Sequence, residues 1–196
     1  MSPLDANGLS VDYSGYIATY SGQIIEPLNP DPGAIMIEDI AHSLSQQCRF
    51  TGHTKMFYSV GQHSVLASGY VEDEKYRLWA LLHDATEAYL ADMARPIKHQ
   101  PGFGDVYRKA EDLLMKAIID RFGLTDERPM PEAVQKIDNL LLGAEIKLLM
   151  PSHVIFEGWE MSSKLSKYDF EEWTPMETEA EFLAIYTELG GSYVSS

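Results

Sequence analysis

The run Trp79-Ala80-Leu81-Leu82-His83-Asp84-Ala85-Thr86-Glu87 sets an imidazole and two carboxylates into an otherwise apolar stretch. An unpaired carboxylate buried there would carry a large desolvation cost, so a compensating cation is expected beside Asp84. A helix cap or a buried salt bridge would meet the same need, and composition alone does not choose between them. Glu87 follows His83 by four residues, one helical turn, which lets it reach whatever His83 holds. Asp138 repeats the pattern between Ile137 and Leu140-Leu141-Leu142, where a solvated position is the alternative. Two imidazoles and two carboxylates make a mixed nitrogen and oxygen donor set suited to a divalent ion such as zinc, manganese, iron or cobalt.

These residues need helices to place them. Residues 75–91 are apolar over much of their circumference, which predicts a central, largely buried helix carrying His83 and Asp84. Residues 37–47 put Ile37, Ile40, Ala41 and Leu44 on one helical face, and a second helix is expected from Phe57 to about Val71, with Val60, Ser64, Ala67 and Val71 in a stripe beside His63. Pro96 and the run Gln100-Pro101-Gly102-Phe103-Gly104 predict a loop. Residues 105–122 resume the helical repeat up to Gly123, and Pro131 opens a helix that runs to about Met150. Ahead of all this, Tyr16 to Glu26 alternates around Ser21-Gly22 as a short β-hairpin. Behind it, Thr174-Pro175 with Glu177 reads as the capped start of a terminal helix containing Phe182, Ile185, Tyr186 and Leu189. The expected organisation is one domain over 1–196: a lead-in with hairpin (1–36), a helical core (37–150) and a C-terminal extension (151–196) whose residues 152–173 show no clear pattern.

Composition narrows the function. With 15 Lys and Arg against 30 Asp and Glu, the net charge of −15 opposes binding to polymeric nucleic acid or an anionic membrane. No apolar run approaches the roughly 18 residues of a membrane span, and the first residues lack the pattern of a signal peptide, so a cytoplasmic location is expected. The single cysteine, Cys48, leaves histidine and carboxylate as the metal donors.

The ordered set Gln62-His63-Ser64, Leu82-His83-Asp84-Ala85-Thr86-Glu87, then Asp92, Pro96 and Lys98, then Ile137-Asp138, with Cys48-Arg49-Phe50 ahead of it, resembles the H…HD…D signature of HD-domain phosphohydrolases. The resemblance covers about residues 20 to 150. It is strongest to bacterial 5′-deoxynucleotidases and to the small phage dATP triphosphohydrolases associated with 2-aminoadenine genomes. It implies an all-α HD-domain bundle with the short N-terminal hairpin, and His63, His83, Asp84 and Asp138 as ligands of a zinc, cobalt or manganese ion.

Residue by residue, the resemblance implies that Glu87 transfers a proton to or from the attacking water, or orients it, and that Asp92 protonates the leaving 5′ oxygen. Arg49 would hold phosphate with its fork of donors and Lys98 would add a second contact, while Phe50 would pack on base or sugar. His53, Lys55 and Arg95 lie near enough in sequence to contribute. The implied reaction is hydrolysis of dATP to deoxyadenosine and triphosphate, with magnesium accompanying the triphosphate. Cleavage of deoxynucleoside monophosphates is the second expectation, and a non-catalytic nucleotide sensor is the reading from another class. Relatives of this type assemble as dimers or hexamers, so a homo-oligomer is expected.

Overall fold

A computed structural model describes residues 15–125, 130–151, 165 and 170–193. Among them the chain is mostly helical, preceded by a two-stranded antiparallel hairpin of β1 (Ile17–Ala18) and β2 (Ile24–Ile25). Gly22 supplies the positive φ of 85° that the turn needs. The hairpin loop is tied to the first helix, α1 (Ile37–Gln46), because both Asp39 carboxylate oxygens accept from Ser21, one from its backbone N–H at 2.6 Å and one from its hydroxyl at 2.8 Å. In α1 the expected face holds: Ile37, Ile40, Ala41 and Leu44 are buried.

The central helix is not the expected one. It is α2 (Val60–Tyr70), in which every residue from Val60 to Ser68 is buried. It begins three residues later than Phe57, where the Ser59 hydroxyl accepts from the Gln62 N–H at 3.0 Å and caps it. Its sequence hid this role because it buries polar groups along with apolar ones. Gln62 donates to the carbonyl of Glu171 and Ser68 to that of Arg77, so these two polar side chains find partners within the packing, while the Ser64 hydroxyl has none among the described residues.

The helix expected over residues 75–91 is divided into α3 (Arg77–Leu82) and α4 (Glu87–Leu90). Between them the chain winds more tightly. Ala85 N–H bonds to Leu82 O, Glu87 N–H to Asp84 O and Tyr89 N–H to Thr86 O, all three residues back. The His83 ring starts the change, because its Nδ1 takes the Ala80 carbonyl at 2.7 Å, an acceptor the regular ladder would use.

A further correction concerns the loop expected around Pro96. It contains a short helix, α5 (Arg95–Lys98), with Pro96 in its first turn, where the missing N–H matters least. The next helix, α6 (Phe103–Phe122), starts at Phe103 and ends at Gly123 in the left-handed conformation. A Cβ on Gly104 would strike the Lys98 carbonyl, so this glycine lets α6 begin against the end of α5. Then come α7 (Glu132–Leu149), directly after Pro131, and α8 (Pro175–Glu188), whose Thr174 and Glu177 form the expected reciprocal cap.

Two adjoining apolar cores flank α2. One gathers Ile40, Leu44, Leu81, Leu114, Ile118 and Phe182, and the other Tyr58, Trp79, Ile137, Leu141 and Phe170. Helix α8 packs on α1 and α2, closing the first core. No helix among the described residues is long and apolar enough to cross a membrane. Of the C-terminal extension, 152–164, 166–169 and 194–196 lie outside the described residues.

Gly61 sets how closely α2 can approach its neighbours, since a Cβ there would lie 2.9 Å from Thr178 Cγ2 and 3.0 Å from the Ser45 nitrogen. Gly61→Ala should therefore destabilise the fold by about 1–3 kcal/mol, the range for overpacking a filled core. Thermal unfolding checks this, and an unchanged Tm would show that the three helices separate without loss.

Candidate metal centre

Helix α2 presents His63 and the end of α3 presents His83, and their Nε2 atoms lie 3.2 Å apart with both rings buried. The opposite nitrogens are already engaged. His63 Nδ1 is 2.6 Å from Glu145 Oε1, and His83 Nδ1 is 2.7 Å from the Ala80 carbonyl. Carbonyls and ionised carboxylates only accept, so both Nδ1 atoms carry hydrogen and each ring turns Nε2 into the shared space, where a metal ion would displace any proton held there.

Carboxylates complete the arrangement. Asp138, on α7, places Oδ1 3.2 Å from His63 Nε2 and 3.9 Å from His83 Nε2. Asp84 places Oδ2 3.2 Å from His83 Nε2 and 3.8 Å from His63 Nε2. Two imidazole nitrogens and two carboxylates converge, and with the Nε2 protons displaced such a set fits a cation. His63, His83 and Asp138 form the tightest group, a buried set that could hold a divalent metal. Asp84 touches both nitrogens but is shared with Arg49, whose Nη1 lies 3.3 Å from its Oδ2.

The support under this group is Glu145, fully buried on α7. Its carboxylate accepts from His63, from the Tyr58 hydroxyl at 2.9 Å, and pairs with Arg49 Nη2 at 3.1 Å. Burial pushes its pKa up, yet Arg49, His63 and Tyr58 outweigh burial and hold it below the usual carboxylate range. The same logic acts on His63: burial and Arg49 push its pKa down, but Glu145 and Asp138 carry it up to about 9.

Arg49 is thus held beside the histidine group by two acids, Asp84 and Glu145. It is followed by Phe50 and Thr51, both with left-handed backbones (φ 53° and 54°), and its guanidinium carbon lies 5.8 Å from the Phe50 ring centre. Non-glycine residues in this region are strained, and such strain gathers at functional sites. Glu87 opens α4 as a buried acid whose Oε2 has no hydrogen-bond partner among the described residues. Burial first, then Asp84 and Asp92, push its pKa well above the ordinary value. Asp92 is half-buried and raised too, by burial first and then by Asp84, against the pull of Arg49 and Lys98.

Lys98 acts on Glu87 and Asp92 through its charge, and its own contacts are with α6. Its Nζ lies 2.6 Å from Glu111 Oε1 and 5.6 Å from the Tyr107 ring centre. His53, Lys55 and Arg95 are exposed, and no contact described here ties them to the group. Sequence reasoning missed Glu145, Tyr58 and Glu111. A signal for Glu145 existed, since it follows Asp138 by seven residues, two turns along the same helical face, beside Gly143 and Ala144.

A metal ion needs the His63 Nε2 lone pair, so protons compete with it. The His63 proton contributes to stability of the metal-free fold below the ordinary value of 6.5, and that contribution is lost as pH rises through about 9. Apparent affinity for zinc or manganese should accordingly climb with pH until near 9, by about tenfold per unit. In Glu145→Gln the climb should level off at lower pH. Calorimetric titrations from pH 6 to 9 check both, and a flat profile in the unsubstituted protein would remove His63 from the ligand set.

The chain is 39% identical over 132 residues to the uncharacterized protein YfdR of Escherichia coli, a match covering 66% of this chain and 70% of that protein. It is 41% identical over 119 residues to an uncharacterized protein of Rhodobacter capsulatus, covering 57% of this chain and 60% of the relative. No family model matches the chain. With more than two thirds of YfdR covered at this identity, the chain belongs to the YfdR family.

Proposed function

We propose that this protein is a metal-dependent phosphohydrolase of the HD type that cleaves the 5′ phosphoester of deoxynucleotides. The observation that carries the reading is the pair of Nε2 atoms, 3.2 Å apart with both Nδ1 atoms engaged elsewhere, facing Asp138 and Asp84 with the Arg49 guanidinium alongside. In this reading Asp84 is the fourth ligand. A divalent ion held there supplies Lewis acidity, lowering the pKa of water and neutralising phosphoryl charge.

The chain's own residues would do the rest. Arg49, whose Nε is buried without a hydrogen-bond partner among the described residues, is placed to hold a phosphoryl oxygen. Glu87, with a free buried oxygen, would orient the attacking water and take its proton; its raised pKa makes it a better base once ionised. Asp92, also raised, would keep a proton to give to the departing 5′ oxygen.

The charges beside the histidine group favour a short anion. Lys98 is paired with Glu111 and Arg49 with Asp84 and Glu145, so neither cation is left uncompensated for a long phosphate chain. A deoxynucleoside monophosphate is therefore the substrate the geometry supports best. Hydrolysis of dATP to deoxyadenosine and triphosphate is the second reading. The run Cys48-Arg49-Phe50 favours it, with magnesium supplying the missing positive charge.

Two outcomes are expected. Incubated with manganese or cobalt, the protein should release deoxyadenosine and phosphate from dAMP, as followed by chromatography. Triphosphate released from dATP in one step, with dAMP untouched, would select the second reading, and inertness toward both would leave a nucleotide sensor. Glu87→Ala should keep its metal while the rate falls by about two to four powers of ten. Elemental analysis with kinetics checks this, and unchanged turnover would take Glu87 out of the chemistry.

A further inference from the structure

Gln47 follows α1 and is half-buried, and its side-chain amide spans the segment that bears both acidic residues. Nε2 donates to the Glu87 carbonyl at 3.0 Å and to the Ser43 hydroxyl at 2.9 Å, while Oε1 accepts from the Asp92 N–H at 3.2 Å. One planar group thus grips the backbone at both ends of the stretch from Glu87 to Asp92.

That stretch needs gripping. Ala91 has φ 63° and ψ 157°, a conformation that side-chain-bearing residues rarely adopt. It persists only where its surroundings over-determine it. The Ala91 N–H bonds to Glu87 O at 2.8 Å, and the Ala91 carbonyl accepts from the Tyr107 hydroxyl of α6 at 2.5 Å. The reversal at Ala91 ends α4 and leaves the Asp92 carboxyl within electrostatic reach of Arg49, Asp84 and Lys98. Relaxation at Ala91 would turn the next residue elsewhere, whereas the metal group and Arg49 are held independently by Glu145.

We propose that Gln47, assisted by Tyr107, is a positioning residue for Asp92, holding the strained Ala91 turn so that the Asp92 carboxyl meets the departing 5′ oxygen. This rests on the hydrolase reading. In that reaction the water oxygen bonds to phosphorus and loses a proton to Glu87. The bond from phosphorus to the 5′ oxygen breaks, its electron pair goes to that oxygen, and Asp92 delivers the proton that completes the nucleoside hydroxyl. Proton delivery matters for a basic alkoxide leaving group and little for a thiolate.

The test uses dAMP and dATP with their counterparts carrying sulfur in place of the bridging 5′ oxygen. Gln47→Ala should keep its metal content and KM while kcat on the oxygen ester falls by about tenfold to a hundredfold, the effect of a catalytic group displaced by about 1 Å. On the sulfur ester it should match the unsubstituted protein. Tyr107→Phe, which removes one hydroxyl, should show the same split to a smaller degree and carries the test if Gln47→Ala does not fold. Equal losses on the two esters, or no loss on the oxygen ester, would overturn the clamp alone. An unsubstituted, metal-loaded protein that cleaves none of these esters would overturn the hydrolase reading and the clamp with it.

Discussion

The interior of this protein is organised around one carboxylate that water cannot reach. Burying Glu145 as an anion is tolerable only with several donors in place, and it collects a phenol, an imidazole and a guanidinium. Each comes from a different part of the chain. Tyr58 precedes α2, His63 lies within it, and Arg49 belongs to the strained turn after α1. Satisfying one charge therefore fixes three segments relative to α7. It also fixes the His63 tautomer, and with it the direction of the lone pair on which the metal group depends.

The polar character of α2 follows from the same constraint. A central helix made only of leucine and isoleucine would pack well but could not present His63 to Glu145 and His83 at once. Gly61, Gln62, His63, Ser64 and Ser68 are all buried there, and small side chains admit neighbouring helices closely enough for distant carbonyls to serve as partners. Rigidity below the site is set against backbone strain beside it. Phe50, Thr51 and Ala91, the described non-glycine residues with positive φ, lie on the chain next to Arg49 and Asp92.

Much of the scaffold was legible in the sequence because helical periodicity and punctuation agree. The α1 face, the stop at Gly123, the start after Pro131 and the Thr174 cap are local signals, and local signals survive folding. Of the candidate metal group, His83, Asp84 and Asp138 stood out as polar residues in apolar runs, whereas His63 was indicated only by the family resemblance. Two things were hidden. The division at His83 has no proline or glycine to announce it, being made by a ring that takes its own helix's carbonyl. The partners Glu145, Glu111 and Gln47 act across separations of 13 to 82 residues, which a pattern of neighbours cannot report.

The tight winding between α3 and α4 fixes the length of that turn. With about three residues per turn, side chains three apart lie one above the other, so Asp84 and Glu87 share an edge of the coil. Inserting or deleting a single residue between them would swing Glu87 through roughly 120° and point it away from the metal group. Exchanges of side chain can be absorbed by repacking; a change of register cannot. The spacing between these two acids is thus a count built into the backbone, and loss of that count would leave all the right residues present and none of them facing one another.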